Sequence, residues 1–224
     1  MKPEFAPSLM CMDFLKIQEQ MEILNDWADY YHVDIMDGHF CKNITLSPDM
    51  VKVFSKIAKK PIDVHLMTTN PEDWIDALAN AGAAYISPHA ETINTDAFRI
   101  LNHIESLGCK KGVVLNPATP LSYVKHYLNR IDMLTLMTVD VGFAGQPFIE
   151  EVLDKIHKAK EWKEKYGYTY KIQIDGSCNI STFKRLSNAG AEVYVVGSSS
   201  LFGKKLDLKK SCMQLEKDFD EAVK

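Results

Sequence analysis

Two residue types that carry acid–base and metal chemistry recur at the ends of short apolar runs. His32 and Asp34 lie two apart in Tyr31-His32-Val33-Asp34-Ile35-Met36-Asp37-Gly38. His65 falls near the end of Asp63-Val64-His65-Leu66-Met67, and Asp175 closes Gln173-Ile174-Asp175 ahead of Gly176-Ser177. Residues two apart on an extended strand project from one face, so His32 and Asp34 point the same way. A single His within a strand is more often a satisfied core residue. Two His and two Asp at strand ends instead suit one divalent ion, with Zn2+ the first expectation and Fe2+, Mn2+ or Co2+ also compatible.

Two small-residue turns accompany this set. Asp140-Val141-Gly142-Phe143-Ala144-Gly145-Gln146 places two Gly and one Ala where backbone N–H groups can approach an anion. It could also serve as a mobile cover. Gly197-Ser198-Ser199-Ser200 offers hydroxyls and amides for a phosphate without any Arg. Met10, Met36, Met67 and Met137 also sit near strand ends. Methionine usually fills core gaps, but here it could floor a site. His89 and Glu91 form a further polar pair, expected to hydrogen-bond rather than to build a second metal site.

A metal ion with two carboxylates and a distant phosphate site points to proton transfer beside a ketone. The ion would stabilise the enediolate. One Asp would remove the proton, and the other would return it from the opposite face. A Schiff-base aldolase fits poorly, since Lys110, Lys111 and Lys171 stand at strand starts. A metal-dependent hydrolase and a non-catalytic phosphosugar-binding barrel are the readings from other classes.

The elements that must position these residues alternate along the chain. Strand-like runs are expected at Phe5–Leu9, Tyr31–Met36, Ile62–Met67, Ala84–Pro88, Gly112–Asn116, Met133–Val139, Tyr170–Asp175 and Val193–Gly197. One helix is expected to open at Asp13 as N-cap, with Phe14, Ile17, Met21 and Leu24 on one face. Another opens at Asn70-Pro71-Glu72-Asp73 and stops at Gly82. Further helices are expected near Pro48–Ala58, Asp96–Leu107, Leu121–Asn129, Ile149–Lys165, Ser181–Ala189 and Leu206–Ala222. Eight β–α units imply an α/β chain folded as a single (β/α)8 TIM barrel over residues 1–224. An open doubly wound sheet would carry a Gly-rich loop after its first strand, but Ser8-Leu9-Met10-Cys11-Met12 has no glycine. Asn80-Ala81-Gly82-Ala83 recurs as Asn188-Ala189-Gly190-Ala191, half a barrel apart.

Composition bounds the partners. The 224 residues are 46% hydrophobic and 25% charged, with a formal net charge of -4, as in an ordinary soluble globular protein. Neither a basic patch nor a high pI is present, so no nucleic-acid partner is expected. No apolar run is long enough for a membrane span. Five cysteines, an odd number without a C-x-x-C pair, argue against a disulfide framework or a zinc knuckle. The Met-Lys-Pro-Glu start lacks an apolar leader core, and a cytoplasmic setting is expected.

The motifs His32-Val33-Asp34-Ile35-Met36-Asp37-Gly38-His39-Phe40, His65-Leu66-Met67, Asn116-Pro117-Ala118-Thr119-Pro120 and Gly142-Phe143-Ala144-Gly145-Gln146 carry a resemblance. Through them the chain resembles the ribulose-phosphate 3-epimerases from end to end. The resemblance implies metal ligands at His32, Asp34, His65 and Asp175, with Asp34 and Asp175 as the acid–base pair. It places a sugar phosphate near Ser8, His65, Gly142, Phe143, Ala144, Gly145, Gly176, Ser177, Gly197 and Ser198. It further implies a homo-oligomer. Thr45-Leu46-Ser47-Pro48, Glu91-Thr92-Ile93-Asn94 and Asp175-Gly176-Ser177-Cys178-Asn179 are similar to the D-allulose-6-phosphate 3-epimerase branch, although Val141 replaces its usual Pro. The main expectation is therefore interconversion of D-allulose 6-phosphate and D-fructose 6-phosphate, with epimerisation of D-ribulose 5-phosphate to D-xylulose 5-phosphate as the alternative.

Overall fold

The computed structural model describes residues 2–204 and 206–224. Its eight strands are β1 (Glu4–Pro7), β2 (Tyr31–Met36), β3 (Ile62–Met67), β4 (Tyr85–Pro88), β5 (Lys110–Leu115), β6 (Met133–Met137), β7 (Lys171–Asp175) and β8 (Val193–Val196). All pair in parallel, in the order β1-β8-β7-β6-β5-β4-β3-β2. A single bridge between Ser8 and His32 joins the two outer strands, which makes the sheet a barrel.

The helices are α1 (Ile17–Asn25), α2 (Pro48–Ser55), α3 (Glu72–Ala81), α4 (Ala90–Ile93), α5 (Ala97–Ser106), α6 (Val152–Tyr166), α7 (Phe183–Ala189) and α8 (Leu208–Val223). Strand residues alternate between two environments, as the two-residue period requires. One set, including Val33, Ile35, Val64, Leu66, Val113 and Leu134, packs outward against helix stripes such as Ile75 and Leu78 of α3 or Ile100 and Ile104 of α5. The other set fills the barrel: Ala6, Tyr85, Met133, Val193 and Val195 cluster together with Tyr30.

Several local expectations shift. Asp13 does accept from Leu15 N, but it caps a short 3-10 turn, Phe14–Lys16, that precedes α1. Phe14 stays exposed, whereas Met21 and Leu24 are buried. The expected helix over Leu121–Asn129 is instead two 3-10 turns, Leu121–Val124 and Leu128–Arg130. That stretch is rich in aromatic, β-branched and Asn residues, which are weak helix formers. An unanticipated short helix, α4, follows β4. Gly82 and Gly190, the two Gly of the repeated tetrapeptide, both end their helices at positive φ, 104 and 114.

One glycine fixes the spacing of the barrel interior. A Cβ at Gly112 on β5 would meet the Ser87 side chain and come 3.1 Å from its Cα. Ser87 donates to Asp63 inside the barrel, at 2.9 Å. Gly112→Ala should therefore destabilise the protein by about 1–3 kcal/mol, the usual cost of overpacking a filled core. A thermal melt should show a Tm lower by roughly 2–12 °C, and an unchanged Tm would reject this packing constraint.

Candidate active site

The chemistry-bearing side chains of β2, β3 and β7 meet near the carboxyl ends of their strands. Parallel register sets Asp34 beside His65 and Asp175 beside Met137. One atom from each of His32, Asp34, His65 and Asp175 lies within 4.8 Å of the others. His32 Nε2 is 3.4 Å from Asp34 Oδ1 and 3.5 Å from Asp175 Oδ2. His65 Nδ1 is 3.3 Å and 3.2 Å from the same two oxygens. The two imidazoles are fully buried, and Asp34 nearly so.

A polar layer below this cluster orients His32. His32 Nδ1 is 3.0 Å from Asp63 Oδ2. Asp63 also receives Ser87 Oγ at 2.9 Å and Gln173 Nε2 at 3.0 Å, while Thr135 Oγ1 donates to Gln173 at 2.6 Å. A carboxylate only accepts, so His32 carries its proton on Nδ1. In the neutral ring, Nε2 then presents a lone pair to the cluster. His32 Nε2 and His65 Nδ1 are both buried without a hydrogen-bond partner.

These residues fit a divalent cation. Two imidazole nitrogens without donors face two carboxylate oxygens, and this mixed N/O set suits first-row divalent metals. The electrostatics agree. Burial disfavours charge at His32, yet the surrounding carboxylates of Asp34, Asp175 and Asp63 hold its pKa well above the ordinary imidazole value. Burial likewise opposes ionisation of Asp34, but His32 and His65 hold its pKa below the carboxylate range. The pKa of Asp175 is lowered by the same imidazoles against the cost of burial. A proton or a metal ion would satisfy the same field.

Above the cluster lies an open pocket bordered by Asp34 and Asp175. Ser8, Gly142, Phe143, Ala144, Gly145, Gly176, Ser177, Gly197 and Ser198, the residues expected around a sugar phosphate, all line it. Ser8 Oγ also donates to Asp34 Oδ2 at 2.7 Å. His65, expected at both metal and substrate, has its ring buried in the cluster. Met10, Met36, Met67 and Met137 border the pocket as well. Among the described residues that line it, none is Lys or Arg. His89 and Glu91 form the expected mutual contact, at 3.2 Å.

Sequence reading missed Asp63 and Gln173. Each stands two residues before a cluster residue on the same strand face, so the two-residue period was the available signal. It also missed Asn43. The side chain of Asn43 donates to Gly142 O at 2.7 Å, tying the β2–α2 loop to the turn after β6. Gln146 folds back onto Asp140 O and Phe143 O, and Ser177 Oγ donates to Gln146 O. The turn is thus held from three sides while Phe143 remains half exposed.

A parallel eight-stranded barrel with its reactive groups at the strand carboxyl ends belongs to the (β/α)8 class of enzymes. The solved structure of 3-hexulose-6-phosphate synthase from Salmonella typhimurium shares this fold, with a TM-score of 0.70 over 98% of this chain and 99% of that one at 16% identity. The family model for the ribulose-phosphate 3 epimerase family matches residues 4–202. The ribulose-phosphate 3-epimerase of Bacillus subtilis is 38% identical over 212 residues, 94% of this chain and 96% of that protein. That of Aquifex aeolicus is 40% identical over 201 residues, 89% and 90% of the two chains. The chain belongs to the ribulose-phosphate 3-epimerase family and is an isomerase of the epimerase type.

Asn43→Ala should loosen the turn after β6 without disturbing the barrel. Loss of one hydrogen bond worth about 1 kcal/mol should speed hydrogen–deuterium exchange over residues 141–146 about five-fold. Exchange at the wild-type rate would show that Asn43 does not tether the turn.

Proposed function

We propose that this protein is a metal-dependent 3-epimerase of ketose phosphates that works by two-base proton transfer at C3. The observation that carries the reading is the shared point faced by Asp34 Oδ1, Asp175 Oδ2 and two donor-free imidazole nitrogens. His32, Asp34, His65 and Asp175 would hold one divalent ion, with Zn2+ the first candidate. When bound, it would act as a Lewis acid on the charge that develops at the ketone oxygen.

The protein's own groups account for the rest. Asp34 and Asp175 each turn one oxygen to the cluster and keep a second for proton transfer. Ser8 donates to the second oxygen of Asp34, which fixes the plane of that carboxylate. The two acids come from β2 and β7, with β8 and β1 between them, so they reach a bound carbon from different directions. One takes the C3 proton and the other delivers a proton to the opposite face, inverting that centre. The four methionines give the reacting carbons an apolar floor.

The phosphate end is assigned to the rim built from Gly142–Gly145, Gly176, Ser177, Gly197 and Ser198. Backbone amides and hydroxyls must bind it, because no cationic side chain is found among the described lining residues. A Cβ at Gly176 would come 2.6 Å from Val139 and one at Gly197 3.0 Å from Cys11. Both positions therefore keep the backbone at the pocket wall. The five unpaired cysteines support a cytoplasmic setting; among the described residues no helix is long and apolar enough to cross a membrane.

The relatives favour D-ribulose 5-phosphate as substrate over the hexose phosphate expected first, since those at 38% and 40% identity are named ribulose-phosphate 3-epimerases. A second reading, D-allulose 6-phosphate, keeps the support of the Thr45–Pro48, Glu91–Asn94 and Asp175–Asn179 strings. Turnover of both sugars with a defined metal decides between them. The pentose reading expects the higher kcat/KM on ribulose 5-phosphate, and a clear preference for allulose 6-phosphate would replace it.

Asp34→Asn and Asp175→Asn should each lower kcat by at least about 10²–10⁴-fold, the usual share of a general acid or base, with the fold retained. In D2O, the wild-type product should carry deuterium at C3. Near-normal turnover in either variant, or turnover without label, would overturn the two-base scheme.

A further inference from the structure

The ring of His65 has two ends, and only one faces the cluster. Its Nε2 lies 2.8 Å from Nε2 of His89, a fully buried residue just after β4. The ring planes are inclined by 29°, with centroids 5.0 Å apart. His89 Nδ1 is 3.2 Å from Glu91 Oε2. Glu91 Oε1 in turn accepts from Asn116 N at 2.9 Å and from the Thr119 hydroxyl. Asn116 and Thr119 belong to the Asn-Pro-Ala-Thr-Pro stretch after β5, which the proposed chemistry leaves without a task.

Donors and acceptors along this chain can be placed in one way only. An ionised Glu91 accepts at every contact, so His89 bears its proton on Nδ1. His89 is fully buried, and burial favours the neutral ring. Its Nε2 is therefore an acceptor, and the hydrogen between the two imidazoles belongs to His65 Nε2. The neutral form of His65 is then left with a lone pair on Nδ1, the atom that faces Asp34 and Asp175. Asp63 performs the same service for His32 in one step, whereas His65 is reached through an intervening ring.

We infer that Glu91 and His89 are positioning residues that select the metal-facing tautomer of His65, and that the Asn116–Thr119 turn holds Glu91 in place for this purpose. The inference rests on the metal-site reading proposed above. Outer-shell carboxylates that fix a ligating His commonly alter metal affinity 10–100-fold when changed.

Glu91→Gln tests it. Two donors, Asn116 N and Thr119 Oγ1, keep the amide oxygen on their side, so the amide N–H groups turn to His89 Nδ1. His89 must then accept there and carry its proton on Nε2, which pushes the proton of His65 onto Nδ1. We expect Zn2+ affinity, measured by chelator competition on the full chain, to fall 10–100-fold with the circular dichroism spectrum unchanged. Long-range 1H–15N spectra of the imidazoles should show the His89 proton on Nδ1 in the wild type and on Nε2 in the variant. A purely structural role for Glu91 would not move that proton between nitrogens.

Wild-type spectra with the His89 proton on Nε2 would overturn the inference, even if the variant fails to fold. So would a folded variant with unchanged tautomers and Zn2+ affinity within two-fold of wild type. Failure of the wild type to bind Zn2+ would reject the metal reading instead, while the ring pattern of His89 would still decide the relay.

Discussion

Four hydrogen-bond acceptors cannot be buried against one another without something positive between them. Unpaired, each group would bear its full desolvation cost. The cluster of His32, Asp34, His65 and Asp175 sets up this problem, and the surrounding barrel is arranged to sustain it. Asp63 fixes His32 from one side, His89 backs His65 from another, and Ser8 takes the outer oxygen of Asp34. His32 Nε2, His65 Nδ1 and one oxygen each of Asp34 and Asp175 are left facing one another.

Such a point needs walls that do not relax, and the barrel interior provides them. Below the cluster, Thr135, Gln173, Asp63 and Ser87 form a hydrogen-bonded layer drawn from four different strands. Beneath it lies an apolar plug with Tyr85 and Met133. Gly112 has no side chain because Ser87 already fills the adjacent space. A buried polar layer is stable only when every member is paired, so its groups have little freedom to rotate. The reactive groups above it inherit that rigidity.

Charge is handled locally. The chain has a net charge of -4, so the whole-protein field would repel an anionic sugar phosphate. The described pocket lining has no Lys or Arg to counter it. In the proposed binding mode attraction comes from fixed dipoles, and Gly142, Gly145, Gly176 and Gly197 stand at the rim of the pocket. At the opposite end, closely placed carboxylates create a potential that only a cation or protons can balance. The proposed function thus gives the same mouth a cation end and an anion end.

The alternation of apolar runs was enough to read eight β–α units, because strand and helix periods are local properties of the chain. It was also enough to select His32, Asp34, His65 and Asp175, since in a barrel the ends of parallel strands converge by topology. Where propensity was weak, as over Leu121–Asn129, packing chose 3-10 turns in place of a helix. Phe14 fits the apolar period yet lies outside the core, because a short turn precedes α1. The partners of the reactive groups were not legible in this way. Asp63 meets His32 from 31 residues away, Gln173 meets Asp63 from 110, and Asn43 reaches Gly142 across 99. The sequence by itself determined which groups stand at the mouth, because strand order and side-chain alternation follow from local pattern. Only the tertiary structure decided how each is oriented and held, because hydrogen-bond direction depends on atoms that the barrel's closure brings together.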